Sequence, residues 1–253
     1  ELMELVPYQR MGEPLDIAML RADHLVVHAE RRADGKASWQ FGEPEPDADK
    51  ERRGLPDVGE LTLRRGELTY VDALVQADLQ ATVQIEEGPA SADAAGAPGG
   101  LRATAQARYD GKPLRATLEA AGAMPLLAGG EDAQLTPVRL QLEAGGATLH
   151  FDGRVADVLR LHRLQGAVEV EGRSLGGVGS LFGITLPTTG PFALKGRIAK
   201  TGGAYNFVAD DARVADSRLH GALTFDTTTE VPLLAGGVGG ARLVLGDLAP
   251  SVG

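Results

Sequence analysis

The chain has 253 residues, of which 43% are hydrophobic and 24% charged, so it carries enough apolar material to fold. Thirty-five Asp and Glu against 25 Lys and Arg give a net charge of −10, which disfavours binding to nucleic acid or, through a polybasic patch, to an anionic membrane surface. With no Cys, disulfide frameworks, thiolate metal sites and Cys nucleophiles are excluded.

In chain order, the first weak helical signal is a short turn near Pro14–Leu20. His24 and His28 follow within "HLVVH"; on a strand they stand roughly 13 Å apart on one face, too far for a metal pair. Trp39 and Phe41 share one strand face, where they either plug an end of the sheet or touch a lipid. Residues 43–56 and 87–100 read as loops, one Pro-rich and charged, the other of small residues without period. Between them, Leu61 and Leu63 open a strand that the Arg65-Gly66 pair is expected to end in a turn.

From there the dominant period is two. Leu79, Ala81, Val83 and Ile85 alternate with polar residues. Ala103 and Ala105 belong to the next run, then Leu114 and Leu118, then Val138, Leu140 and Leu142, then Leu149 and Phe151. Val168 and Val170, Leu194 and Ile198, and Leu223 and Phe225 close the series. Such alternation puts apolar side chains on one face and polar ones on the other, as in half-buried antiparallel strands. Asp110-Gly111, Gly145-Gly146 and Gly202-Gly203 sit between these runs as hairpin turns, so sequential strands should be neighbours. The second helical signal is "SLGGVGSLFG", with Ser174 as N-cap and Leu175, Val178, Leu181 and Phe182 at helical spacing.

The expected fold is therefore all-β: a long, curved, mostly antiparallel sheet with one or two short helices, read as one domain over 1–253. Aromatic residues are only 4%, and many inward positions are Ala or Gly. With too little helix to cover it, the apolar face must close into a barrel, fold into a sandwich or curl into a trough, and the many small inward residues favour an open, taco-like groove suited to an apolar ligand. The groove lining is expected from Leu61 to Phe225, through the inward residues just named, with Leu175, Val178, Leu181 and Phe182 as its cap. A lipid suits such a wall: an acyl chain gains about 0.8 kcal/mol per buried CH₂. Asp210, Asp211 and Asp216 lack the spacing of a calcium loop, and Ser217 lacks a nucleophile elbow. No catalytic residue, metal site or cofactor is expected, and an enzyme is the least expected class.

Several segments in order resemble the AsmA family of bacterial envelope proteins, relatives of TamB. "ASWQF" at 37–41 is similar to the family's Asn-Trp-x-Phe signature, with Ser38 in place of Asn. "LPDVGELTLRRGELTYVD" at 55–72 resembles a two-strand block ending on aromatic-x-Asp. "TPVRLQLEAGGATLHFDGRV" at 136–155 and "VEGRSLGGVGSLFGITLPTTGPFALKGRI" at 170–198 resemble two further blocks. "VADSRLHGALTFDT" at 214–227 has Ala215 where the family has Gly, and "LVLGDLAPSVG" has Gly246 in place of Asp. The resemblance implies a β-groove like that of bridge-like lipid transfer proteins, held to the inner membrane by an N-terminal anchor and projecting into the periplasm. It implies phospholipid as partner and a role in phospholipid transport or homeostasis between inner and outer membranes. The sequence given is then expected to be a piece of a longer membrane-anchored protein. Two other classes stay open: a scaffold or chaperone for outer-membrane protein assembly that works through a sheet edge, and a packed spacer.

Overall fold

The structure is a computed structural model that describes residues 4–8, 16–38, 57–58, 61–87, 100–127, 133–158, 161–179, 188–228 and 232–244. Among these residues, fourteen strands form one sheet. β1 (Glu4–Tyr8), β2 (Asp16–Arg31), β3 (Asp57–Val58) and β4 (Leu61–Asp72) make its first part. β5 (Ala77–Glu87), β6 (Leu101–Tyr109), β7 (Lys112–Ala120), β8 (Thr136–Ala144), β9 (Ala147–Ala156) and β10 (Arg163–Gly172) make its middle. β11 (Phe192–Thr201), β12 (Ala204–Val214), β13 (Ser217–Asp226) and β14 (Leu233–Arg242) complete it. From β4 onward every strand pairs antiparallel with the next, an unbroken meander that ends at β14 without returning to β1. Among the described residues the sheet is therefore open, and its antiparallel meander is what the alternating pattern leads one to expect.

Its first part departs from the sequence reading in three ways. The Pro14–Leu20 helical signal gives way to β2, which begins at Asp16 and runs for 16 residues. β2 pairs parallel with β4, from Leu20 beside Leu61 to Arg31 beside Asp72. A parallel pair needs a long crossover, here the 29 residues between Arg31 and Leu61. Arg65-Gly66 is not a turn. β4 runs straight through it, and the register against β5 shifts between Leu63 and Gly66. This bulge turns both Arg64 and Arg65 outward and returns Leu68 and Tyr70 to the apolar face. Gly suits the site, because a Cβ on Gly66 would lie 2.9 Å from Leu63 and 3.3 Å from the Val83 carbonyl.

The expected hairpin turns are in place. Asp110 and Gly111 have φ of 49° and 73°, and Gly145 and Gly146 have 59° and 75°, the left-handed pair that a two-residue hairpin requires. At the β12–β13 turn Ala215 takes φ 49°, at the position where the resembling family block has Gly. Trp39, Phe41, Gly246 and nearly all of the 43–56 and 87–100 loop segments lie outside the described residues.

One pair of glycines shapes the middle of the sheet. Gly153 and Gly166 face each other across β9 and β10, with the Phe151 ring beside both. A Cβ on Gly166 would lie 2.5 Å from the Asp152 carbonyl, 2.6 Å from the Gly153 Cα and 2.8 Å from the Phe151 ring. Two of those atoms are backbone, so the strands rather than a side chain would have to move. Gly166→Ala is expected to destabilise the protein by about 1–3 kcal/mol, the usual cost of overpacking, read as a lower urea midpoint with an unchanged m-value.

Candidate functional site

The register turns the alternation into a continuous wall. One row crosses the sheet as Leu63, Ile85, Leu101, Ala120, Val138, Gly153, Gly166, Ile198, Phe207 and Leu223. The next runs Gly66, Val83, Ala103, Leu118, Leu140, Phe151, Val168 and Gly196. A third runs Leu68, Ala81, Ala105, Ala116, Leu142, Leu149, Val170, Leu194, Ala212 and Leu219. A fourth contains Tyr70, Leu79, Ala107, Leu114 and Ala144. Leu61 sits in phase with this face opposite Glu87, and Phe225 opposite Tyr205. The sheet thus gathers all the sequence-predicted lining residues from Leu61 to Phe225 on one face. It adds others with the same alternation, including Leu68, Tyr70, Leu164 and Phe207.

This wall is mostly half-buried, neither sealed nor bare. Along β5 and β7, apolar positions are partly covered and polar ones exposed, residue by residue. Full burial is reached by Leu63, Leu101, Ala120, Val138, Val155 and Val168, while Leu223 and Phe225 remain 36% and 40% exposed.

Two short helices cover parts of the two strand-end rims. α1 (Met124–Leu127) follows β7, and Ala123 and Leu126 pack with Leu101, Ala120, Val138 and Val155 into the buried cluster of the sheet. Glu87, itself on the apolar face, ties this segment down, with Oε1 accepting from the backbone N–H groups of Ala123 and Met124 (3.2 Å). Half-burial pushes the Glu87 carboxyl up, and the Met124 bond opposes the rise. α1 carries no clear sequence signal, since a four-residue helix has too little length for periodicity. α2 (Leu175–Gly179) sits at the opposite rim. Ser174 caps it, accepting from Gly176 N at 3.3 Å and from Thr189 N at 3.0 Å. A Cβ on Gly177 would come 2.7 Å from the Gly145 carbonyl, so α2 lies against the β8–β9 turn. Leu175 and Val178 are half-buried there; Leu181 and Phe182, expected in the same cap, fall outside the described residues.

The same rim holds the most thoroughly buried side chain of useful size. Asp72 is 1% exposed. Its Oδ2 accepts from the Arg31 guanidinium and from the Tyr70 hydroxyl at 2.5 Å. Its Oδ1 accepts from Leu74 N at 3.0 Å and Val75 N at 3.3 Å. Arg31 beside it holds the carboxyl well below the usual carboxylate range against the opposing effect of burial. The cluster joins parallel strands β2 and β4 and folds the turn into β5.

The outer face is polar and laddered. Arg139 meets Asp152 at 3.1 Å, Lys195 meets Glu169 at 2.9 Å and Arg197 meets Asp210 at 3.1 Å. These exposed pairs contribute little stability each but keep that face wet. His24 lies 3.4 Å from Glu67 on exposed β2. Among the described residues no group of three or more His, Asp or Glu is placed to hold a metal ion, and no helix is long and apolar enough to cross a membrane.

No family model and no solved structure matches the chain. Among curated proteins, it is similar to AsmA family protein YhjG of Escherichia coli (strain K12), with 32% identity over 154 residues, which is 59% of this chain. The chain spans 22% of that relative's length. Found on a chain whose described strands form one open sheet with an apolar face, this similarity supports AsmA family membership.

Proposed function

We propose that this chain is a segment of a lipid-binding groove that takes part in phospholipid transport or homeostasis between the inner and outer membranes, acting in the periplasm as part of a membrane-anchored protein. The similarity to an AsmA family protein supports an envelope role at the level of the family. The observation that carries the finer reading is the four-row apolar wall, partly buried over most of its width, with no second layer among the described residues. Acyl chains are its natural complement. A chain of about 16 carbons gains roughly 13 kcal/mol on leaving water, enough to offset much of the cost of leaving a bilayer. The rows offer neither aromatic platforms in number nor regularly placed donors, so a glycan would lose more hydration than it regained. A uniform track without a deep well lets a lipid advance along it. The reading involves no catalytic step. The test is native mass spectrometry with lipid extraction of the chain purified from a Gram-negative host. Co-purified glycerophospholipid is the expected result, and a lipid-free protein would overturn it.

A second reading draws on the first edge of the sheet. β1 pairs with β2 only as far as Arg21, and from Ala22 to Ala29 no other described strand flanks β2 opposite β4. Leu25, Val26 and Val27 are exposed there. Such an edge suits β-augmentation by an incoming strand, as a scaffold for outer-membrane protein assembly would require. Cross-linking that captures unfolded barrel precursors on β2, with no lipid in the mass spectra, would favour it.

A further inference from the structure

On the rim that α1 occupies, the wall changes character past β9. α1 covers β6 to β9, where the inner-face residues are Leu101, Ala120, Val138 and Val155. The outermost inner-face row then continues from Val155 to Leu164 on β10, and next to Lys200 on β11, Tyr205 on β12 and Phe225 on β13. Lys200 is thus the one cation in a row of apolar and aromatic side chains. It is 7% exposed. Its Nζ donates to the Leu161 carbonyl and stands 5.0 Å above the centre of the Tyr205 ring.

A buried ammonium normally has a carboxylate beside it, because charge is costly to desolvate unless paired. Among the described residues no carboxylate lies within ion-pair distance of Lys200. Among the described residues its neighbours at the ammonium are one carbonyl and one ring face, neither of which carries a formal negative charge. The carbonyl itself comes from Leu161, which takes φ 47°, a left-handed conformation that is costly for a residue with a branched side chain.

We propose that Lys200 is the seat for an oxyanion head group on an alkyl chain, with the head at this rim and the chain lying inward over Leu164, Ile198 and Phe207. This rests on the lipid-groove reading and adds to it a fixed seat for the phosphate-ester head group. The ammonium and the Leu161 turn read the head, and the neighbouring rows take the tail. The general field of the molecule works against such a ligand, since its net charge is −10. A preference for an anion must therefore come from a local cation.

The experiment compares dodecyl phosphate, dodecanol and inorganic phosphate, each titrated below its aggregation threshold into the whole chain by calorimetry. The wild type should bind dodecyl phosphate about tenfold more tightly than dodecanol, and inorganic phosphate should not bind at millimolar concentration. Lys200→Met should bring dodecyl phosphate down to the affinity of dodecanol, while Lys200→Arg keeps most of the preference. Equal affinity of the wild type for the two long-chain probes, a result that needs no variant, would overturn the proposal and leave the groove reading standing. A preference that survives Lys200→Met would also overturn it. Binding of inorganic phosphate alone would overturn the amphiphile assignment in favour of a free-anion site. Failure of both long-chain probes to bind would sink this proposal together with the groove reading.

Discussion

Asp72→Ala is expected to be among the most damaging single substitutions in the chain, lowering the melting midpoint by on the order of 10 °C. Removing the carboxylate takes the partner from the Arg31 guanidinium, the Tyr70 hydroxyl and the Leu74 and Val75 N–H groups at once. The carboxylate is fully buried and the guanidinium about two-thirds buried, so deleting Asp72 leaves a largely desolvated charge without its partner, which costs more than losing an exposed pair. Asp72→Asn keeps the shape and part of the hydrogen bonding and should cost roughly half as much. The pH dependence follows from the direction of the shift. The folded carboxyl is held below its unfolded value of about 3.9, so the stabilisation is complete above that value. It is lost as pH falls toward and through the depressed folded value. The gap in midpoint between wild type and Asp72→Asn should therefore be full at pH 6 and shrink steadily below about pH 4. A gap that does not change with pH would show that Asp72 acts through shape alone.

This cluster also marks where the sequence could and could not be read. The run Tyr70-x-Asp72 was visible as the end of a strand block, but its partner Arg31 is 41 positions away across a parallel pairing. Alternation tells which face a residue takes and is silent about the direction in which two strands run. So β5 to β13 were legible almost residue by residue, with Asp110-Gly111 and Gly145-Gly146 fixing the hairpins, whereas the β2–β4 pairing was not. Arg65-Gly66 misled for a related reason. A charged residue followed by Gly looks the same in a turn and in a bulge, and only the strands on both sides of β4 hold it extended. Lys200 carries no sequence signal because it ends an alternating run, where a polar residue is ordinary. Its meaning depends on the Leu161 turn folding back over it, a contact 39 positions apart in the chain.

The triple substitution Leu118→Asp, Leu140→Asp and Leu149→Asp is expected to abolish lipid co-purification while the sheet stays folded. Leu118 faces Leu140 across β7 and β8, and Leu149 on β9 faces Leu142 on β8 one row away, so the three charges fall in the middle of the wall. All three side chains are half-buried; Leu118 packs against the buried cluster under α1, whereas Leu140 and Leu149 are not part of it. In the lipid-free protein the new carboxylates can remain hydrated at the mouth of the groove. Each should cost stability on the scale of a partly exposed apolar contact, about 1 kcal/mol. With an acyl chain above them they would have to lose that water without a partner, a cost of several kcal/mol apiece. Three such costs consume the roughly 13 kcal/mol that a 16-carbon chain gains. The matched control carries the same charge on the opposite face of the same strands. Thr117, Gln141 and His150 form one exposed row there, and Thr117→Asp, Gln141→Asp and His150→Asp should leave lipid content unchanged. Circular dichroism separates loss of lipid from loss of fold in both variants. If the inner-face variant is folded and still retains lipid at the wild-type level, the hydrocarbon does not lie on this wall, and the groove reading fails at its central point.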